Sequence, residues 1–380
     1  MVDTTNLAPG VYIQEITPAG PIAGAGTSTA AFIGTAASAA KADLGVPVLV
    51  VNWNSFASRF GGYSSALPLP YAVRGFFENG GTLAYIVAVT DWTGLPGALD
   101  QLTRVLDVNL VCTPGLVDSG AQATVLTHCE DMHNRFAVLD GAQDSTPLDS
   151  KGTLQTQKGG LLSVSGYGAL YWPWISVNDP AAAANKPPVV TVPPSGHVAG
   201  IMARSDAQVG VHKAPANEVV RGALALDYVL NDTEQGVLNQ LNINAIRQFP
   251  GNPPQLWGAR TLTNGVPWRY VNVRRLVSYV EESILEGVRW AVFEPNTPAL
   301  WKALQRTITE FLTRVWEAGA LFGQTASQAF YVKIDEELNT DAVRELGQVI
   351  AEIGLAPVRP AEYVIIQLGL WDGGSQVSEG

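Results

Sequence analysis

The residues that could do chemistry in this chain are few, and each group stops short of a working motif. Ser195 stands in Pro193-Pro194-Ser195-Gly196-His197, a serine with a histidine two positions on. A nucleophile elbow needs glycine two places before the serine, so that a sharp strand-to-helix turn can expose the hydroxyl. That place is Pro193, so the elbow fails, and Ser195 reads as a turn opening a helix over His197–Arg204. Gly24-Ala25-Gly26 has the start of a dinucleotide loop, but Thr29 occupies the third glycine position and the segment precedes a strand where it should follow one. It reads as a leash. No GxxxxGK[ST] phosphate loop occurs. His128, Cys129 and His133 lie in one helical stretch. Cys129 and His133 share a face, His128 and His133 do not, and neither HExxH nor a second Cys/His cluster accompanies them, so ordinary helix surface and edge is the default reading. The sequon Asn231-Asp232-Thr233 carries no meaning without a signal peptide. No catalytic residue, cofactor-binding residue or metal ligand is assigned, and the expectation is a non-enzyme without cofactor.

Composition points the same way. The 380 residues are 47% hydrophobic and only 15% charged. They can build sizeable cores, yet carry little charge to cover a soluble monomer, which fits surface hidden in partners. A net charge of −11 opposes nucleic-acid binding, and no polybasic segment awaits an anionic membrane. Cys112 and Cys129 are too few for a disulfide framework and read as reduced thiols. The opening Met1–Tyr12 has neither a basic region nor an apolar core, so no signal peptide is expected, and no apolar run reaches the ~20 residues of a membrane span.

The elements that must position these residues alternate between strand and helix. Strands are expected at Thr29–Thr35, Val46–Val51, Leu83–Val89, Val108–Cys112 and Phe136–Leu139, with helices at 54–60, Tyr71–Glu78 and Gln122–Met132. Asp140–Lys158 reads as loop, Ala169–Val177 as an apolar aromatic stretch, and Ala181–Pro194 as an exposed connection. Further helices are expected at Leu276–Glu286, Trp301–Trp316 and Asp341–Ile353, the last ending at Gly354. In the second of these, Leu300, Leu304, Ile308, Phe311, Leu312 and Val315 form one stripe, with Lys302 and Arg306 away from it. Phe330–Asp335 alternates as a half-buried strand.

Both ends carry a short strand set off by proline and glycine. Val11-Tyr12-Ile13-Gln14-Glu15-Ile16 follows Pro9-Gly10, and Tyr363-Val364-Ile365-Ile366-Gln367-Leu368 opens a run that reaches Trp371. A lone strand must add to a sheet edge. It can do so in its own domain, or in another molecule by β-augmentation. Having the feature at both ends favours exchange between subunits.

Segments in order along nearly the whole chain resemble the tail sheath proteins of contractile phages and related injection systems. They are Leu7–Ile16, Pro21-Ile22 with Thr27–Gly34, Ala72–Gly81 running into Ala84–Val87, Pro193–Ile201, Ala214–Asn217, Asn242–Asn244, Trp257–Thr261, and Tyr270–Leu276 with Trp290 and Phe293-Glu294-Pro295-Asn296. The polar middle, 140–165, matches nothing. The resemblance implies an α/β chain of mixed α+β character, a multi-domain subunit with mixed sheets flanked by helices and extended terminal strand arms. The expected division is an N-terminal arm (1–26), an N-terminal and middle α/β region (27–240), a C-terminal inner domain facing a tube (241–358) and a C-terminal arm (359–380).

It further implies stacked six-fold rings around an inner tube, arms donated into neighbours' C-terminal domains, and a contraction that drives the tube through a target envelope. The partners are then the chain itself, an inner tube protein, and baseplate and terminal cap proteins, with no nucleic acid and no membrane binding by this chain. Assembly in the bacterial cytoplasm and release by lysis follow. Lys302 and Arg306 are candidates to meet acidic groups on the tube, although Arg306 and Glu310 could simply pair at i,i+4. The length favours a compact particle: a small phage, a tailocin or an extracellular injection system. The competing readings are a cytosolic α/β hydrolase with an unrecognised site, and a binding or shell module without contraction.

Overall fold

A computed structural model describes residues 20–365. The strands are β1 (Ala30–Gly34), β2 (Val48–Val50), β3 (Ala84–Ala88), β4 (Leu110–Cys112), β5 (Phe136–Asp140), β6 (Gly168–Trp172), β7 (Ile175–Asn178), β8 (Val189–Val192), β9 (Glu218–Val219), β10 (Ala223–Leu226), β11 (Ile243–Arg247), β12 (Gln255–Leu256), β13 (Phe330–Lys333) and β14 (Glu352–Leu355). The helices are α1 (Trp53–Phe60), α2 (Pro68–Glu78), α3 (Leu95–Leu102), α4 (Ser119–Met132), α5 (Thr153–Gly159), α6 (Ser195–Gln208), α7 (Asp232–Gln240), α8 (Val271–Gly287), α9 (Pro298–Glu317), α10 (Ala326–Ala329) and α11 (Asp341–Glu345).

Nine strands form one sheet in the order β2-β3-β1-β4-β5-β6-β11-β12-β9. Six of them, from β3 to β11, are parallel; β2 pairs antiparallel with β3, β12 with β11, and β9 with β12. Parallel strands need both faces covered, which is why β1, β5 and β6 are buried end to end. On one face α1, α2 and α6 contribute Phe56, Phe60, Phe76, Val198 and Met202 to the core. On the other, α3, α4, α5 and α7 contribute Leu99, Leu126, Leu154 and Leu238. A three-stranded antiparallel sheet, β10-β7-β8, stands beside them.

The C-terminal unit has its own core. The stripe Leu300, Leu304, Ile308, Phe311, Leu312 and Val315 on α9 is buried, together with Leu276 and Val280 of α8 and Phe330 of β13. Thr297 caps α9 through the Leu300 N–H, and Pro298 supplies the first helical residue. The start of α8 pins this unit to the large sheet. Arg275 forms a pair with Asp206 of α6 at 2.5 Å, both side chains about 5% exposed or less, and also donates to the Thr27 carbonyl. Arg274 lies between the rings of Tyr167 and Trp268, 4.4 Å from each centroid.

Three expectations from the sequence are corrected. The polar stretch 140–158 contains most of α5. Its Gln157 side chain donates to the Asp140 carbonyl and accepts from the Ala142 N–H, so tertiary hydrogen bonds hold a helix that periodicity does not mark. The connection 181–194 contains β8, paired in register with β7 from Ile175↔Val192 to Asn178↔Val189. The helix expected over 341–353 stops at Glu345. Gly347 takes φ +71, and the chain re-enters as β14, antiparallel to β13.

Candidate functional site

Ser195 is fully buried as the first residue of α6. Its hydroxyl donates to Asp140 Oδ2 at 2.8 Å and its N–H to Oδ1 at 2.7 Å, while the Gly115 N–H donates to Oδ2 at 3.1 Å. Asp140, at the end of β5, thus satisfies the start of a helix from another element. Burial pushes its carboxyl up to about 7 against the pull of these donors. His197 is buried, which lowers its pKa to about 4, and its Nδ1 has no hydrogen-bond partner. Its ring fills the space where a Cβ at Gly75 would stand, and side chains at Gly196 and Gly200 would collide with the backbone of Ala72 and Phe76. The Pro193–Ile201 block is therefore the close crossing of α2 and α6, and Ser195 is no exposed nucleophile.

The other chemical candidates resolve similarly. His128 is buried with Nε2 2.9 Å from Arg135 Nη1, and burial and then the guanidinium lower it to about 4. Burial raises the Cys129 thiol to about 12. His133 caps α4 in a left-handed conformation. Among the described residues no group of three or more His, Cys, Asp or Glu is placed to hold a metal ion, and no helix is long and apolar enough to cross a membrane. Asn231 of the sequon forms a capping box with Glu234 at the start of α7. The glycine leash is laid down on α8 and α9: Ala25 N–H donates to Ser283 Oγ, Arg314 donates to the Ile22 carbonyl, and Gly24 leaves no room for a Cβ beside Tyr279.

The surface that does stand open is in the C-terminal unit. β13 and β14 make a two-stranded sheet, from Phe330↔Leu355 to Lys333↔Glu352. A hairpin alone is marginal in water; a third strand or a helix must cover it. Here α9 covers β13, with Gln305 Nε2 donating to the Val332 carbonyl. Beside β14 lies an apolar groove of about 780 Å³, floored by Ile284 of α8, Val288 just after it, and Leu300, Leu304 and Ile308 of α9, and walled by Ile353. At its rim Phe293 is fully exposed, with backbone φ +69.

The structure places the site residues expected from the sequence as follows. Val11, Tyr12, Ile13, Gln14, Glu15 and Ile16, and likewise Ile366, Gln367 and Leu368, lie outside the described residues. Tyr363, Val364 and Ile365 are described; they are in no strand, and 70%, 80% and 83% exposed. They follow a fixed point. Glu362 takes two bonds from Arg260, at 2.7 and 2.6 Å, and further ones from Asn239 and Tyr270. Burial works against the charge, but these donors outweigh it and hold the Glu362 carboxyl below the usual range. Lys302 and Arg306 are both exposed on α9, and Arg306 stands 4.0 Å from Glu310.

Sequence reasoning missed β14, Phe293 and the Arg260–Glu362 pair. The first was legible: Gly347 is a helix stop, and Val349, Ala351, Ile353 and Leu355 alternate after it. The other two needed coordinates, since nothing in sequence links positions 102 residues apart or marks one phenylalanine as outward.

Known proteins place this architecture. Residues 89–262 match the phage tail sheath protein central domain, and residues 263–369 match the phage tail sheath C-terminal domain. The chain is 26% identical over 288 residues to a putative prophage major tail sheath protein of Pseudomonas aeruginosa, covering 73% of this chain and 69% of that one. It is 22% identical to the tail sheath protein of Escherichia phage P2, covering 96% and 95%. Its structure is similar to the sheath complex of an extracellular contractile injection system, PVC, in the contracted state, with a TM-score of 0.81 and 29% identity over 97% of this chain and 99% of that one. The contracted helical sheath of the anti-feeding prophage gives a TM-score of 0.79 and 28% identity, covering 96% and 99%. With two sheath models spanning residues 89–369 and sheath structures aligned along almost its whole length, the chain belongs to the phage tail sheath family and is a contractile sheath subunit of a phage-tail-like injection system.

Proposed function

We propose that this subunit polymerises with copies of itself as stacked six-fold rings around an inner tube, linked by strands exchanged between copies, and shortens to drive the tube through a target envelope. The observation that carries this reading is the two-stranded β13–β14 sheet with an apolar groove beside β14 that no described residue fills, in a chain with a strand-like run at each end. The arms are 1–26 and 359–380, with 27–240 as the N-terminal and middle region and 241–358 as the inner, tube-facing domain. Backbone pairing is indifferent to side-chain identity, so exchanged strands can stay bonded while subunits rotate.

A baseplate starts the contraction and a cap ends the sheath. Energy comes from two packings of the same subunits, with no cofactor or catalysis by this chain. Lys302 and Arg306 are assigned to acidic groups on the tube, where exposed charge pairs are weak enough to release. Assembly is assigned to the bacterial cytoplasm, with release by lysis. Negative-stain electron microscopy of the chain expressed alone, and with a tube protein, tests the reading. Hollow tubes with a helical repeat are expected. Monomers that also ignore the tube protein would refute it.

A further inference from the structure

We propose that one water molecule bridges Arg135, just before β5 of the large sheet, to Glu282 of α8, as a third polar tie between that sheet and the C-terminal unit. The tie is independent of the strand-exchange reading above.

The face of α8 places it. Arg275, Ser278 and Glu282 are spaced three and then four residues apart, so they share one side of the helix. That side meets the rest of the chain through polar contacts. Arg275 pairs with Asp206 of α6 and donates to the Thr27 carbonyl. Ser278 Oγ donates to the His133 carbonyl at 2.8 Å. Glu282, one turn further on, is half-buried and makes no direct hydrogen bond to the sheet among the described residues.

Opposite it, two polar atoms are left over. Arg135 is 1% exposed. Its Nη1 stands 2.9 Å from His128 Nε2 and its Nη2 donates to the Val105 carbonyl, but its Nε is buried without a partner. Asn134 Nδ2 donates to the Leu106 carbonyl at 2.9 Å, while its Oδ1 is likewise buried and unpartnered. Leaving a buried donor or acceptor unmet is costly, so each calls for a partner. Between these groups lies a recess of about 20 Å³, whose walls include Asn134, Arg135, Ser278 and Glu282. One water needs roughly 10–15 Å³ of such space, so the recess suits a single small guest.

The donor set identifies that guest. Arg135 Nε needs an acceptor, and Asn134 Oδ1 needs a donor. An anion such as chloride answers only the first, and stands against the Glu282 carboxylate. A cation answers only the second, beside the two guanidiniums of Arg135 and Arg275 on the same walls. Water does both: it accepts from Arg135 Nε, gives one proton to Asn134 Oδ1 and the other to the Glu282 carboxylate. The two charges already act on each other across the gap. Burial and then Glu286 raise the Glu282 carboxyl, and Arg289 and Arg135 pull it back. A buried guanidinium thus gains a carboxylate it does not touch. The three ties together fix the slope of α8 on the large sheet, and with it how the C-terminal unit is presented.

A crystal structure of the full chain, at a resolution that shows ordered water, tests this. One density peak is expected within hydrogen-bond distance of Arg135 Nε, Asn134 Oδ1 and the Glu282 carboxylate. A recess without density would overturn the proposal, and so would Glu282 bonded directly to Arg135. Crystals grown in bromide separate water from an anion: an anomalous peak in the recess would also overturn it. A double-mutant cycle in urea melts reads the same bridge in solution. Asn134→Ala and Glu282→Ala remove groups that share no direct bond, so only a shared guest couples them. The double variant's effect on the unfolding constant is expected to fall short of the product of the single effects by roughly fivefold. Effects that multiply to within about twofold would contradict the bridge.

Discussion

The large sheet and the C-terminal hairpin solve the same problem in opposite ways. Both must cover an apolar sheet and dispose of its edges. The nine-stranded sheet does so within one molecule: helices lie on both faces, and its outer strands, β2 and β9, are only three and two residues long. Short edges offer little template for another chain. The β13–β14 sheet has α9 on it but an apolar groove beside β14, with Phe293 in water at the rim. One region is a finished fold. The other has, among the described residues, an apolar groove along one side, the feature on which the proposed strand exchange rests.

The largest expected effect breaks this contrast outright. Removing residues 1–20 or 363–380 should abolish polymer while leaving the melting of the subunit core in place. Core unfolding on deletion, seen by circular dichroism, would mean that the ends serve their own molecule. Next is the joint between the two regions. Arg275→Ala strands the buried Asp206 carboxylate and should cost about 3–5 kcal/mol in denaturant melts. A loss under about 1 kcal/mol would show the joint to be loose.

Within the finished region, Asp140→Asn should cost about 1–3 kcal/mol by leaving a donor at Gly115 or Ser195 unmatched. It also has a pH signature. The Asp140 carboxyl rises from its ordinary 3.8 to about 7 in the fold, so between these values the folded chain holds a proton that the unfolded chain has released. Its contribution is fully present below about pH 4 and lost as pH rises towards 7. The stability difference between wild type and variant should therefore shrink with rising pH across that window, and a flat difference in urea melts would contradict the assignment. The smallest effect on folding belongs to Lys302→Glu with Arg306→Glu. Exposed positions should change subunit stability by within about 0.5 kcal/mol, yet sheath–tube particles should become fewer. Normal particle counts by electron microscopy would leave the Arg306–Glu310 pair as the whole role of that face.

The finished region was largely legible in sequence because its signals are local. Buried parallel strands read as apolar runs, and Gly61 marks the end of α1 by its own chemistry. In the other region the stripe on α9 is buried as its spacing foretold, and Gly319 marks that helix's end. What was hidden depends on distant partners. Helix α5 is held by Gln157 reaching back to Asp140 and Ala142, and β8 by register with β7. The open region was the less legible of the two. β14 follows a helical turn whose pattern continues smoothly into it, so that only Gly347 and an alternation of four residues give it away. The Arg260–Glu362 tether and the outward Phe293 carry no local mark at all.

The most direct test is a cryo-EM reconstruction of the polymer formed by this chain, read at the β13–β14 sheet. Strands from other copies bonded along that sheet, with the groove beside β14 filled, is the predicted result. A two-stranded sheet with the groove empty, and both terminal runs folded onto their own subunit, would contradict the account.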